Sequence, residues 1–308
     1  MFGLKFPGVI LFCALFAFIF VSCSEKQNEN IEVASNDVSN IDASHIETDN
    51  VLNEQDTMTQ VFYDLTSPVQ LTNFVRYSNT AFKPELLNET GNKSRYTSNV
   101  KLALNMGVFG TDMIYSRLFN EKQAAINYLA TIKNLTRDLG IPEEEVSKTL
   151  GKADQFMDSQ DSIFNLIQDA YLHADDYLKD NDRKSTAALI YFGGWVEALH
   201  IAINLYYEQN SDKNKIAEHI AQQKFSLNNI LVLLQNSYDN PDIHHYIVMV
   251  KQLKKIYADI DIVVGGVSTE IDTVNKVIKL DGSTAVISEN QIVEIKKAIH
   301  RIRQDIVS

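Results

Sequence analysis

The chain has 308 residues, of which 28 are basic and 40 are acidic, for a net charge of −12. This balance and the lack of a basic stripe argue against nucleic-acid binding. Its only cysteines, Cys13 and Cys23, exclude a disulfide framework and a thiolate metal site, and no G-x-S-x-G, H-E-x-x-H, C-x-x-C or Gly-rich phosphate loop occurs.

Residues 1–22 have the layout of a secretory signal peptide. Lys5 is their only charged residue, and the apolar run that follows over 6–21 is short for a membrane span. The run ends in the sequence FVSC at residues 20–23. This ending resembles the lipobox of bacterial lipoproteins, although Phe20 stands where that family usually has Leu.

The resemblance to bacterial lipoproteins implies that the leader is cut before Cys23 and that this cysteine is then acylated. The mature protein would be lipid-anchored in a bacterial cell envelope, with the outer membrane as the expected location. Several acyl chains on one cysteine would make the attachment stable. The implied partner is the membrane, through Cys23. Another envelope protein is a separate candidate partner, which the resemblance does not imply. The alternative is an ordinary secretory signal that a cysteine follows by chance.

Residues 23–57 are predicted to form the lipidated cysteine and a disordered, acidic tether. The segment 24–57 contains no aromatic residue, no Gly and no Pro, and it is rich in Asn, Ser, Asp and Glu. Such a composition buries too little apolar surface to offset the entropy of ordering the chain. We therefore expect a solvated spacer. A short helix formed on a partner is the alternative.

Helical periodicity dominates the remaining segment, 58–308. We predict an all-α, multi-helix bundle of about seven helices with a small C-terminal β-hairpin. Gly140 is a plausible stop for one helix, and Pro142 suits the first turn of the next. The apolar periodicity places helices near 69–77, 94–119, 121–139, 142–180, 185–207, 213–238, 243–264 and after Ser288.

The segment 185–207 is predicted to be the central helix of this bundle. It is apolar nearly all round and holds the only tryptophan, Trp195. A helix of this kind is either a buried core helix or a membrane span. Glu197, His200 and Asn204 favour the core helix, because a charge in mid-bilayer is costly.

The C-terminal segment, 273–308, is predicted to be a hairpin followed by a helix. Two β-branched runs flank Asp281 and Gly282, a pair that favours a tight hairpin turn. Ser288 and Gln291 then have the spacing of a capping box, which predicts the start of the last helix.

A weak internal duplication, about 94–180 and 183–264, is one interpretation of the helix order. A Phe-Gly pair occurs in the middle of a very apolar helix in each half. Whether or not the duplication is real, glycines in such helices allow close helix crossings. The predicted crossing residues are Gly107, Gly110, Gly193 and Gly194.

Glu197 and His200 form a Glu-x-x-His pair, which places both side chains on one helix face. Diiron carboxylate bundles use two such pairs together with further Glu residues. Asp169 and His173 could add two ligands from a second helix, but the second Glu-x-x-His pair is missing. A polar helix edge explains Glu197 and His200 without a metal. No cofactor is predicted, and these four residues remain candidates only.

Asp112 lies in the other very apolar helix and needs a partner if it is buried. Arg95, Lys101 and Arg117 are possible partners, and the sequence does not choose among them. A structural ion pair is a more common role for such a residue than acid catalysis. The long tether, the bundle-type periodicity and the missing catalytic motifs favour an envelope-anchored binding or scaffold domain without catalysis. The alternative is a metal- or cofactor-dependent helical enzyme.

Overall fold

The architecture is an all-α bundle with one small antiparallel strand pair, which confirms the predicted fold class. A computed structural model describes residues 71–142, 144, 183–235, 240–272 and 277–308. Two short 3₁₀ helices, Pro84–Leu86 and Thr90–Arg95, precede the second α-helix. The elements are α1 (Leu71–Ser78), α2 (Asn99–Leu118), α3 (Lys122–Asp138), α4 (Lys184–Tyr206), α5 (Lys213–Gln235), α6 (Pro241–Ala258), β1 (Asp261–Asp272), β2 (Val277–Val286) and α7 (Glu289–Val307).

Helices α2 and α4 cross at the centre of the bundle. Within the described residues, α4 is the one helix long and apolar enough to cross a membrane, and 83 % of its most apolar window is buried against the protein. α2 packs against α3 and α4, and α4 also contacts α1, α5 and α7. Both helices are apolar all round because neighbouring helices surround them. The burial of α4 fits its interpretation as a core helix.

Glycines let α2 and α4 approach backbone to backbone. A Cβ on Gly107 would lie 1.9 Å from the carbonyl oxygen of Ile190 and 2.6 Å from the amide nitrogen of Gly194. A Cβ on Gly193 would lie 2.0 Å from the carbonyl oxygen of Leu104. No other residue type fits at these distances, since real Cβ atoms do not come within 3.0 Å of backbone atoms.

The other two glycines predicted at a crossing have different surroundings. Gly194 lies at the contact through its backbone, because its carbonyl oxygen accepts a hydrogen bond of 3.1 Å from the Thr111 hydroxyl. Gly110 is buried within α2. Hence the close approach extends along one turn of each helix and fixes which later residues of α2 and α4 meet.

Local sequence signals set several helix ends. Asn240 caps α6 through its side chain, which accepts from the amide of Asp242, and Pro241 occupies the first turn. Gly140 follows the end of α3 with φ +69°, a conformation that favours glycine. Its amide donates to the carbonyl of Arg137 at 2.9 Å. These ends lie where the sequence predicts them.

The predicted extension of α6 to Val264 is wrong. The helix ends at Ala258, and β1 begins at Asp261. Ile260, buried in the core, satisfies a helical period and equally well the first apolar position of a strand. The β-branched residues that follow favour a strand once a partner strand is available.

The predicted hairpin turn is also wrong. Asp281 pairs with Ser268 inside the antiparallel ladder, so Asp281 and Gly282 lie within β2. The strands are joined between Asp272 and Val277. An Asp-Gly pair favours a turn locally, but strand register is set by the whole pairing partner. The first residues of that partner, 261–264, fit the helical period that predicts α6 to Val264.

The last helix, α7, is the element in which sequence and structure agree best. Ser288 and Gln291 form the predicted capping box, with the Gln291 amide donating to the Ser288 hydroxyl oxygen at 3.3 Å. One apolar stripe packs against α4 and α6. The stripe is fully buried and consists of Ile292, Ile295, Ile299, Ile302 and Ile306.

The remaining predictions about organisation concern residues outside those described. Outside the described residues lie the leader 1–22, Cys23, the tether to 57, the start of the helical domain at 58 and nearly all of the long helix 142–180. The duplication 94–180 and 183–264 stays a prediction, although its second half ends within β1 and not in a helix.

Candidate functional site: a buried charged cluster

An ion pair joins a fully buried Glu197 on α4 to a largely buried Arg303 on α7. Glu197 of α4 has no exposed surface, and both of its carboxylate oxygens accept from the Arg303 guanidinium of α7. The Nε–Oε2 distance is 2.6 Å and the Nη2–Oε1 distance is 2.7 Å. Two parallel charge-assisted bonds of this kind are among the strongest side-chain contacts in proteins. Arg303 Nη2 also donates to the Leu86 carbonyl at 3.0 Å, so Arg303 binds the first 3₁₀ helix as well as α4.

A second acid, Asp112 of α2, lies in the same cluster. It too has no exposed surface. Its Oδ2 accepts from the Asn88 amide at 3.1 Å, whereas Oδ1 has no hydrogen-bond donor within the described residues. Burial and the neighbouring Glu197 carboxylate raise the pKa of Asp112 well above its usual range, against the opposing effects of Arg303 and the Asn88 amide.

Asn88 connects the acids to a buried hydrogen-bond network. Its Nδ2 donates to the Tyr96 hydroxyl at 2.9 Å and to Asn105 Oδ1 at 3.3 Å. Its carbonyl accepts from the Tyr128 hydroxyl at 3.1 Å. The network therefore links the 3₁₀ segment (residues 84–96, which include both 3₁₀ helices) to α2 and α3, and it leaves few of its polar atoms without a partner.

The C-terminal end of α7 is capped by side chains of the same network. The last carbonyls of any helix have no partner within the helix. Here the Asn105 amide donates to the Ile306 carbonyl at 2.9 Å, and the Tyr96 hydroxyl donates to the Val307 carbonyl at 3.2 Å. The Lys101 ammonium donates to the Asp305 carbonyl. Three successive carbonyls of α7 are thus satisfied by the bundle.

His200 lies at the edge of the cluster, one turn along α4 from Glu197. Burial lowers the pKa of His200 to about 4, although the Glu197 carboxylate acts in the opposite direction. The ring is therefore neutral near pH 7. Asn204 donates to the His200 carbonyl at 2.8 Å and lies 3.4 Å from the ring Nδ1. His200 and Asn204 therefore lie on one polar edge of α4, whereas Glu197, which the sequence places on the same edge, is fully buried.

The geometry disfavours the metal site suggested by Glu197 and His200. Both Glu197 oxygens are bound to the Arg303 guanidinium, which occupies the position a cation would need. No cluster of three or more His, Cys, Asp or Glu suited to a metal is found in the part of the chain that the structure describes. Asp169 and His173, the other two candidates, lie outside the described residues.

Sequence reasoning missed the partners of Asp112. The residues that contact it are Asn88 and Glu197, with Arg303 nearby, and not Arg95, Lys101 or Arg117. Arg117 instead donates to Asn120 Oδ1 at 3.2 Å. One signal could have pointed to Arg303: it follows Ile299 by four residues, so it borders the buried stripe of an otherwise polar helix face.

In the charged cluster, defined by Asp112, Glu197 and Arg303, the three side chains interact mainly with one another. Its strongest donors and acceptors bind one another, and both acids are buried. Cys23, the predicted lipidation site, lies outside the described residues.

Comparisons with protein-family models, with curated proteins and with solved structures found no match to this chain.

Proposed function

We propose that this chain is a lipid-anchored protein of the bacterial cell envelope whose helical domain is a binding or scaffold module without catalysis. The observation that carries the second half of the proposal is the bidentate Glu197–Arg303 pair. The acid that the sequence offers for catalysis or metal binding is fully buried and holds a guanidinium with both oxygens. A catalytic acid must instead reach a substrate.

Support for the anchor comes from the sequence alone. A short apolar leader, a lipobox-like FVSC ending and a polar segment without aromatic residues follow one another at the start of the chain. A tether of this composition keeps a folded domain near a membrane while leaving it free to reach a partner. The partner in this proposal is another envelope protein.

Lipidation is tested by expressing Cys23→Ser in a bacterium. We expect the parent protein to sediment with the outer membrane and to carry the mass of acyl chains, and we expect the variant to lose both properties. Cys13→Ser is the matched control, because Cys13 lies in the leader and its loss leaves the anchor intact. Unchanged fractionation of Cys23→Ser, with no acyl mass on the parent, rejects the anchor.

The alternative of a metal-dependent enzyme is tested by elemental analysis of the purified protein. We expect no stoichiometric metal, because Arg303 already neutralises Glu197. Stoichiometric iron, manganese or zinc that is lost in His200→Ala would contradict the scaffold proposal. That result would favour the metal-dependent enzyme, with Asp169 and His173 as the remaining ligands.

A further inference from the structure

The close crossing of α2 and α4 forces two buried acids together. Gly107 and Gly193 bring the backbones into contact, and the Thr111 hydroxyl reaches the Gly194 carbonyl. The next residue of α2 is Asp112, and one turn beyond Gly193 on α4 is Glu197. Both acids are fully buried, and Arg303 is the guanidinium that they share.

One guanidinium cannot balance two ionised carboxylates in a buried site. Arg303 donates to Glu197 through Nε and Nη2, and Nη2 also donates to the Leu86 carbonyl. Oδ1 of Asp112 is left without a donor among the described residues, and the Glu197 carboxylate lies within hydrogen-bonding reach of the Asp112 side chain. Two acceptor oxygens in contact repel one another unless one of them carries a hydrogen.

We propose that Asp112 and Glu197 hold one proton between them, carried as an O–H on Asp112 that donates to Glu197, and that loss of this proton at alkaline pH weakens the fold. The proton satisfies the free oxygen of Asp112 and leaves a single carboxylate for a single guanidinium. Removing it places two negative charges against one positive charge without exposure to water.

Other titratable groups surround the pair on every packed element. His200 lies beside Glu197 on α4, and its ring is neutral near pH 7, so it does not balance the second acid. Burial raises the pKa of Tyr128 far above its usual range and also raises that of Tyr96. The titratable groups that interact with the pair are Tyr96, Tyr128, His200 and Arg303. Around them, Glu89 acts on Tyr128, Arg95 acts on Tyr96 and His300 acts on His200.

The sign of the pH effect follows from the direction of each shift. The folded protein keeps a proton on Asp112 that the unfolded chain releases above about pH 3.9. The resulting stability is complete below that pH and is lost as the pH rises toward the folded pKa. His200 acts oppositely: because its pKa falls to about 4, its contribution is lost as the pH falls from about 6.5.

The test compares the full-length protein with Asp112→Asn. Asparagine has the same shape, so its amide can donate to Glu197 and its oxygen can accept from the Asn88 amide. We expect the melting temperature of the variant minus that of the parent to rise between about pH 5 and pH 9, by at least about 3 °C. The contribution of His200 cancels in this difference.

A second readout detects the proton itself. We expect the infrared spectrum of the parent near neutral pH to contain the carbonyl band of a protonated carboxyl group, and Asp112→Asn to lack it. Asp138→Asn is the matched control, because Asp138 is a surface acid that pairs with Lys93. This control should keep the band and should not change the pH profile.

Three outcomes would overturn the proposal. The first is a parent spectrum without the protonated carboxyl band. The second is an Asp112→Asn variant whose melting temperature differs from that of the parent by the same amount at every pH. The third is an Asp112→Asn variant that does not fold. A neutral residue of the same shape should replace a protonated Asp112, so failure to fold would indicate that Asp112 is ionised in the native protein.

Discussion

Two stretches of the same helix pair are held together in different ways. At the crossing, α2 and α4 touch through bare backbone at Gly107 and Gly193, with no side chain between them. Further along each helix, Asp112 and Glu197 meet as buried acids that require a third helix, α7, to supply Arg303. The first stretch requires glycines, which have no Cβ atom, and the second requires an arginine that is distant in sequence.

This difference explains why α7 belongs to the core of the fold. The glycine contact is complete with two helices, whereas the acids brought together beyond it are not. A buried charge is tolerated only when it is paired and hydrogen-bonded. Arg303 and the capped carbonyls at the end of α7 supply that pairing, so the C-terminal helix is needed to complete the centre of the bundle.

Arg303→Met should produce the largest effect, because it leaves buried acids without their counter-charge. We expect a loss of about 3–5 kcal/mol in the free energy of unfolding, measured by urea denaturation. Lys297→Met is the control, since Lys297 pairs with Glu294 on the exposed face of the same helix and should cost little. Adding Glu197→Gln to Arg303→Met should restore part of the loss. If Arg303→Met alone were as stable as the parent, the Glu197–Arg303 pair would contribute nothing to the attachment of α7.

Gly193→Ala and Gly107→Ala test the other stretch. Each added methyl would meet a backbone carbonyl at 2.0 Å or 1.9 Å, so the helices must move apart. We expect a cost of about 1–3 kcal/mol, even though Ala favours a helix by up to about 1 kcal/mol over Gly.

Gly91→Ala is the matched control for the crossing, because nothing lies within 4 Å of the position of its added Cβ. Its thermal stability should stay close to that of the parent. If all three variants melted at the same temperature, α2 and α4 would not be in backbone contact in solution.

Tyr96→Phe should produce the smallest effect and sharpens the role of the network around the charged cluster. The hydroxyl accepts from Asn88 Nδ2 at 2.9 Å and donates to the Val307 carbonyl at 3.2 Å. We expect a loss of about 1 kcal/mol, as for one typical buried hydrogen bond, because the ring remains in place. A loss as large as that of Arg303→Met would indicate that capping of α7, and not charge pairing, holds the helix.

Much of the fold could be predicted because its signals are local. The capping box of Ser288 and Gln291, the isoleucine stripe of α7 and the stop at Gly140 each lie within a few residues of the feature they specify. Helix periodicity is likewise a property of one segment at a time. The all-α bundle therefore followed from the sequence.

The strand pair shows where local signals fail. The run from Ile260 to Val264 fits both a helical and an extended pattern, and Asp281 with Gly282 favours a turn that the ladder does not contain. Pairing between β1 and β2 decides both cases, since register is a property of two strands together.

Local sequence signals specify most of the described helices, several of their caps and their apolar faces, and they place glycines in the two most apolar helices. Which charges meet depends on how distant helices pack. Glu197 and Arg303 are separated by 106 residues, and the partner of Asp112 lies on another helix. Spacing along one helix reports which side chains share a face, but it carries no information about the face of a distant helix that covers them. That choice was made by the packing of α2, α4 and α7 around the close crossing at Gly107 and Gly193.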